Sequence, residues 1–235
     1  GPGKTGTVIV VGDDPWSMST STPADSRYLF KHLHIPFLEP STPEELKNWI
    51  KISLDISIAT SVYQGLLLTT FMAEGGGRVD TGELKEINKE LLDVDPSKFD
   101  LRKNVMVPPN SLHADVAMIQ DRFPDVIKVL EEKNLDRILG SQATDVGIIS
   151  SGVIYETAKQ ILEEENLLDK TSLYKLACSY PLTSIKLLPW LKKLKHLIIV
   201  EEKRGFLENE LREFCSKNDI NISIYGKSHF QAFGG

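Results

Sequence analysis

Thr7-Val8-Ile9-Val10-Val11-Gly12-Asp13-Asp14-Pro15 is a β-branched, apolar run that stops at a glycine and turns acidic. A run of this kind, without polar alternation, suits a strand covered on both faces, as in parallel sheets. Working outward, a helix is expected from Pro23, with Thr22 as its N-cap and Asp25 three residues later. Residues 35–38 read as a second strand. Thr42-Pro43-Glu44-Glu45 is a Thr-x-x-Glu capping box, and Leu46, Trp49, Ile50, Leu54 and Ile58 recur behind it at helical spacing. Residues 66–70 close a β-α-β-α-β unit.

Gly75-Gly76-Gly77 interrupts this alternation, and residues 79–143 read as a helical connector with helix-like stretches at 83–92 and 115–133, broken by Pro96, Pro108 and Pro109. Alternation resumes at Val146-Gly147-Ile148-Ile149. Helices near 153–164, 183–193 and 206–215 separate strand-like segments at 172–177, 197–200 and 220–225. Strands separated by helices of this length force crossover connections, so each unit should be a doubly wound, mostly parallel α/β layer.

The 235 residues are 41% hydrophobic and 26% charged, with a formal charge of −6 spread along the chain. That composition belongs to a soluble globular protein, expected in the cytoplasm, and offers no basic surface for nucleic acid and no apolar run of membrane length. Cys178 and Cys215 are too far apart for a metal spacing and read as buried, reduced thiols. His32, His34, His113, His196 and His229 form no metal pattern. The Gly-Pro-Gly start and the Gly234-Gly235 end read either as boundaries within a longer polypeptide or as residues left by expression.

Ligands of open parallel sheets gather beyond the carboxyl ends of the strands, which directs the search for chemistry. After the first strand come Asp14 and Ser19-Thr20-Ser21-Thr22, which form either a polar rim facing a small ligand or a loop that caps itself. Ser150-Ser151-Gly152 stands at a helix start, where free N–H groups could receive an anion, or simply makes a tight turn. Adjacent Glu201 and Glu202 should point opposite ways at a strand end, and so read as a salt-bridged or interface element.

Taken in order, residues 7–15, Ser19 to Thr22, Asp25, Arg27-Tyr28, Ile35-Pro36 and Leu38-Glu39-Pro40-Ser41 resemble the large (alpha) subunit of indolepyruvate:ferredoxin oxidoreductase. The resemblance returns at residues 102–108, at 146–155 and at Val200-Glu201-Glu202. It implies that residues 1–78 are the C-terminal half of a thiamine pyrimidine-binding domain and 144–235 a transketolase C-terminal-like domain. It also implies a parent that oxidatively decarboxylates an aryl 2-oxoacid with thiamine diphosphate, magnesium (Mg2+) and 4Fe-4S iron–sulfur clusters. The partners implied are a smaller beta (gamma-type) subunit, ferredoxin and coenzyme A, in a homodimeric parent.

The same resemblance places the glutamate that protonates the cofactor before Gly1 and the magnesium-binding segment after Gly235. The expectation is therefore a stretch with no catalytic residue or metal ligand of its own. Asp14, Ser19, Thr20, Ser21 and Thr22 would lie on the substrate or cofactor side. The alternative is a non-catalytic dimerisation or docking module of a multi-subunit complex.

Overall fold

A computed structural model of the chain describes residues 5–82, 105–202 and 204–230. The opening run is β1 (Val8–Asp13), paired in parallel with β3 (Gln64–Thr69), Val10 opposite Leu66. The helix expected from Pro23 starts later, as α1 (Arg27–His32). Asp13 accepts hydrogen bonds from the N–H and hydroxyl of Ser26 at 2.6 and 2.7 Å, which fixes Ser26 at the cap position.

The second strand is β2 (Phe37–Leu38), and α2 (Pro43–Thr60) begins at the capping box. Thr42 Oγ1 accepts the N–H of Glu45, while the Glu45 carboxylate reaches the N–H of Ser41 at 2.9 Å, one residue before the donor that the box predicts. Trp49 and Ile56 are buried, but Ile50, Leu54 and Ile58 face solvent. The helical spacing is as read; three of the five apolar residues it picked out lie exposed, on the side where β1 is the edge of its sheet. A short α3 (Thr70–Glu74) follows β3.

The helix expected at 83–92 lies outside the described residues. The one expected at 115–133 is α4 (Asn110–Ala117), a π-helical turn (Met118–Arg122) and α5 (Phe123–Lys133). The chain then forms β4 (Arg137–Gly140), β5 (Val146–Ser151), α6 (Gly152–Glu164) and β6 (Ser172–Leu176). It continues through β7 (Cys178–Tyr180), α7 (Leu187–Leu191), β8 (His196–Val200), α8 (Phe206–Lys217) and β9 (Ser223–Tyr225).

Two sheets result, ordered β1-β3-β2-β7 and β4-β6-β5-β8-β9. The α/β reading holds, with one antiparallel strand at an edge of each sheet: β7 against β2, and β4 against β6.

Consecutive strands β6 and β7 belong to different sheets, and the chain changes sheet at Ala177. Asp136 holds the crossing, accepting the Ala177 N–H at 2.9 Å and the Tyr174 hydroxyl at 2.6 Å. The Ala177 carbonyl accepts the N–H of Glu39. The second sheet packs Ile149, Tyr174, Trp190, Leu191, Leu197 and Leu211 into one core cluster. At about 1.5–3 kcal/mol for each large apolar side chain fully buried, this cluster is a major source of stability. Both cysteines are buried free thiols, as expected.

Candidate functional site

Parallel strands from both sheets, β1, β2 and β3 of one and β5 and β8 of the other, deliver their carboxyl ends to a single cleft. Asp13 ends β1, Thr69 ends β3, Glu39-Pro40 follow β2, Ser151-Gly152 join β5 to α6, and Glu201-Glu202 follow β8. Asp25, Arg27, Pro15, Leu67, Val153 and Ile154 complete the lining of a cavity of about 20 Å³, room for about one water molecule. This is where parallel sheets bind ligands, and here two sheets share the position.

Arg27 is the centre of the cleft. Its side chain is 6% exposed, and it donates to Asp25 at 2.8 Å, to Glu201 at 2.9 Å, and to the carbonyls of Glu202 and Arg204 at 3.1 and 3.2 Å. Burial by itself would lower the pKa of the guanidinium. The contact with Asp25 and the charges of Glu39 and Glu201 outweigh that, and hold it firmly cationic. Phe206 lies across its face, the ring centroid 5.3 Å away.

Glu201 also accepts the N–H groups of Leu207 and Glu208 at 2.8 and 3.0 Å, so a carboxylate sits at the positive end of α8. Burial nevertheless pushes its pKa up, with Arg27 and the two N–H groups pulling the other way. Glu39 is buried and accepts a hydrogen bond from Ser179. Its pKa is raised, by desolvation first, against the charge of Arg27.

Asp14 is buried, and its carboxylate is engaged within its own loop. It accepts the N–H groups of Met18, Ser19 and Thr20 at 2.7–2.9 Å and the hydroxyls of Ser19 and Thr20 at 3.3 and 3.0 Å. Desolvation would raise its pKa, yet these bonds hold the group well below the usual carboxylate range. Ser19, Thr20, Ser21 and Thr22 are exposed on that loop and are not among the residues lining the cleft.

Ser151 and Gly152 do line the cleft, whereas Ser150 is buried beneath it. Gly152 has φ +58, and a Cβ built there would lie 3.7 Å from Glu39 Oε2. The N-terminus of α6 therefore faces a carboxyl group of the protein itself.

The expected opposition of Glu201 and Glu202 is corrected. The strand ends at Val200 and the chain bends at 202, so both residues line the same cleft, and of the two only Glu201 is ion-paired among the described residues. In the sequence Glu39 and Arg27 stand out only as parts of a resembling string, and nothing in the local pattern marks them as partners across the cleft.

Residues 136–233 match the family model of the indolepyruvate oxidoreductase domain. Along nearly its full length the chain is also similar to the indolepyruvate oxidoreductase subunit IorA. The chain resembles the indolepyruvate oxidoreductases. IorA of Pyrococcus horikoshii is 29% identical over 230 residues and that of Pyrococcus abyssi 30% over 231 residues, each match covering 94% of this chain and 34% of the relative. IorA of Methanothermobacter marburgensis is 25% identical over 228 residues, 95% of this chain and 35% of the relative. The chain thus spans about a third of the length of the curated relatives it matches.

Solved structures agree on the fold of this IorA-like chain. The 2-oxoglutarate:ferredoxin oxidoreductase of Magnetococcus marinus, solved with 2-oxoglutarate, coenzyme A and succinyl-CoA bound, superposes with a TM-score of 0.65 at 17% identity, over 93% of this chain and 45% of that one. A split-gene transketolase, described as an inactive β4 tetramer, gives 0.52 at 12% identity, over 93% and 56%. Among the described residues, no group of three or more His, Cys, Asp or Glu is placed to hold a metal ion. Nor, among them, is any helix long and apolar enough to cross a membrane.

Proposed function

We propose that these residues belong to a thiamine-diphosphate-dependent 2-oxoacid:ferredoxin oxidoreductase that acts on an aryl pyruvate such as indolepyruvate and passes the acyl group to coenzyme A. The observation that carries this reading is the likeness to IorA along 94–95% of the chain. On it, residues 1–78 are the C-terminal half of a pyrimidine-binding domain, 79–143 a helical connector whose last residues supply β4 to the second sheet, and 144–235 a transketolase C-terminal-like domain. Ferredoxin, coenzyme A and a smaller beta (gamma-type) subunit are the partners, in a cytoplasmic, dimeric parent.

The cleft between the sheets does not fit a diphosphate. It is about 20 Å³ in volume and is lined by five acidic side chains and one arginine that they already engage, so a polyanion would meet acceptors in place of donors. The diphosphate and its Mg2+ are therefore assigned to polypeptide outside these residues, and the resemblance assigns the 4Fe-4S clusters there as well. The edge of the first sheet supports that assignment. Val10 on β1 is 58% exposed, and Ile50, Leu54 and Ile58 form a stripe along α2 that reaches Gly6 just before β1. An apolar edge of this kind is normally covered.

Replacing the matching third of Pyrococcus horikoshii IorA with this chain tests the reading. The chimera, assembled with its partner subunit, is expected to retain indolepyruvate-dependent dye reduction. The chain alone should give neither turnover nor saturable heat with thiamine diphosphate and Mg2+. A folded, assembled chimera without activity overturns the family reading; turnover by the chain unaided overturns the assignment of the cofactor to other polypeptide.

A further inference from the structure

Four of the five carboxyl groups at the cleft have partners. Ser26 serves Asp13, Arg27 serves Asp25 and Glu201, and Ser179 serves Glu39. The fifth, Glu202, is 9% exposed, and its Oε1 is buried without a hydrogen-bond partner among the described residues; the same is true of the Thr69 hydroxyl that borders the cavity with it. A buried carboxylate oxygen left without a donor is costly, and a proton is the smallest group that removes the cost.

We propose that Glu202 and Glu39, one from each sheet, hold one proton between them, and that this proton keeps the carboxyl ends of the two sheets together. The groups facing Glu202 are Asp13 from β1, Asp25 and Arg27 from the α1 region, Glu39 after β2, Thr69 from β3, Ser151 from β5 and Glu201 beside it. Among the described residues that line the cavity, Arg27 is the one cation. It is already bonded to Asp25 and Glu201, so it cannot neutralise a further pair. Two carboxyls that lose their last proton in a small cavity repel each other, and the pair titrates as a unit.

The electrostatics agree with the geometry. Desolvation and then the charge of Glu39 push Glu202 up to about 7; the charge of Arg27 pulls it down, as does the Thr69 hydroxyl beside it, although the two groups do not meet in hydrogen-bond geometry. An acid whose folded pKa is raised binds more protons in the folded state than in the unfolded one between its ordinary value and the raised one. Stability is therefore lost as pH climbs through that interval and levels off above about 7.

Calorimetry of the full chain from pH 5.5 to 8.5, together with carbon-13 NMR of glutamate carboxyl groups, tests the proposal. The wild type is expected to lose roughly 5 °C of Tm across the range. Glu202→Gln, which is permanently neutral and nearly isosteric, should lose much less and should lack one carboxyl signal that titrates near neutrality. Glu202→Asp retains an ionisable group and should keep a pH-dependent Tm. The proposal fails if no glutamate signal of the folded wild type titrates above pH 6, or if Glu202→Gln follows the wild-type pH dependence. Neither readout involves a cofactor, so the outcome is separate from the family reading.

Discussion

The two sheets of this chain differ in how completely they are covered. The five-stranded sheet has α6 on one face and α7 with α8 on the other, and its central strand β5 is buried at five of six positions. In the four-stranded sheet β3 is buried, whereas β1 at the edge leaves Val10 and Gly12 exposed and α2 presents three apolar residues to solvent. The same kinds of residue make both. What differs is whether neighbours exist on each side, so the comparison shows that an apolar run predicts where a cover is needed and does not guarantee that these residues supply it.

The largest effect should come from cutting the electrostatic tie between the sheets. Arg27→Met leaves Asp25 and Glu201 as uncompensated buried carboxylates and is expected to destabilise by about 3–5 kcal/mol. Urea denaturation should then resolve two transitions, with the four-stranded sheet melting first; a single unshifted transition would show that Arg27 does not join the sheets. A smaller effect, about 1–2 kcal/mol, is expected for Tyr174→Phe, which removes the hydroxyl that Asp136 accepts beside the crossing at Ala177. The same denaturation curves measure it. Smallest is the double substitution Val10→Thr with Ile58→Thr on the open edge, which should change stability by no more than about 0.5 kcal/mol. Light scattering should show less self-association, and a large loss of stability would mean that the edge is not open.

Features set by neighbouring residues were legible in the sequence. The strand at 8–13 followed from its β-branched run, and the start of α2 from Thr42 and Glu45. The short strands β4 and β7, of four and three residues, were not: neither is long enough for a period to show, and neither stands apart as an apolar run between helices. The cleft was legible only as a place, the carboxyl ends of parallel strands. Its central contact joins Arg27 to Glu201, 174 positions apart, and no local pattern encodes such a pairing. The Ser-Thr loop drew notice because of its composition, although Asp14 binds much of it from within. Glu39, one residue past a two-residue strand, carried no signal beyond its place in the resembling string.

The change of sheet at Ala177 bears on how this protein can be divided. Because β7 is contributed by the far side of the sequence, a product ending near residue 143 would lack the strand that borders Phe37 and Leu38, and both of its sheet edges would be bare. A complementary product starting there would carry Cys178 to Tyr180 with nothing to pair against. Gene fission or limited proteolysis in the intervening stretch should therefore yield two pieces that survive only by remaining associated.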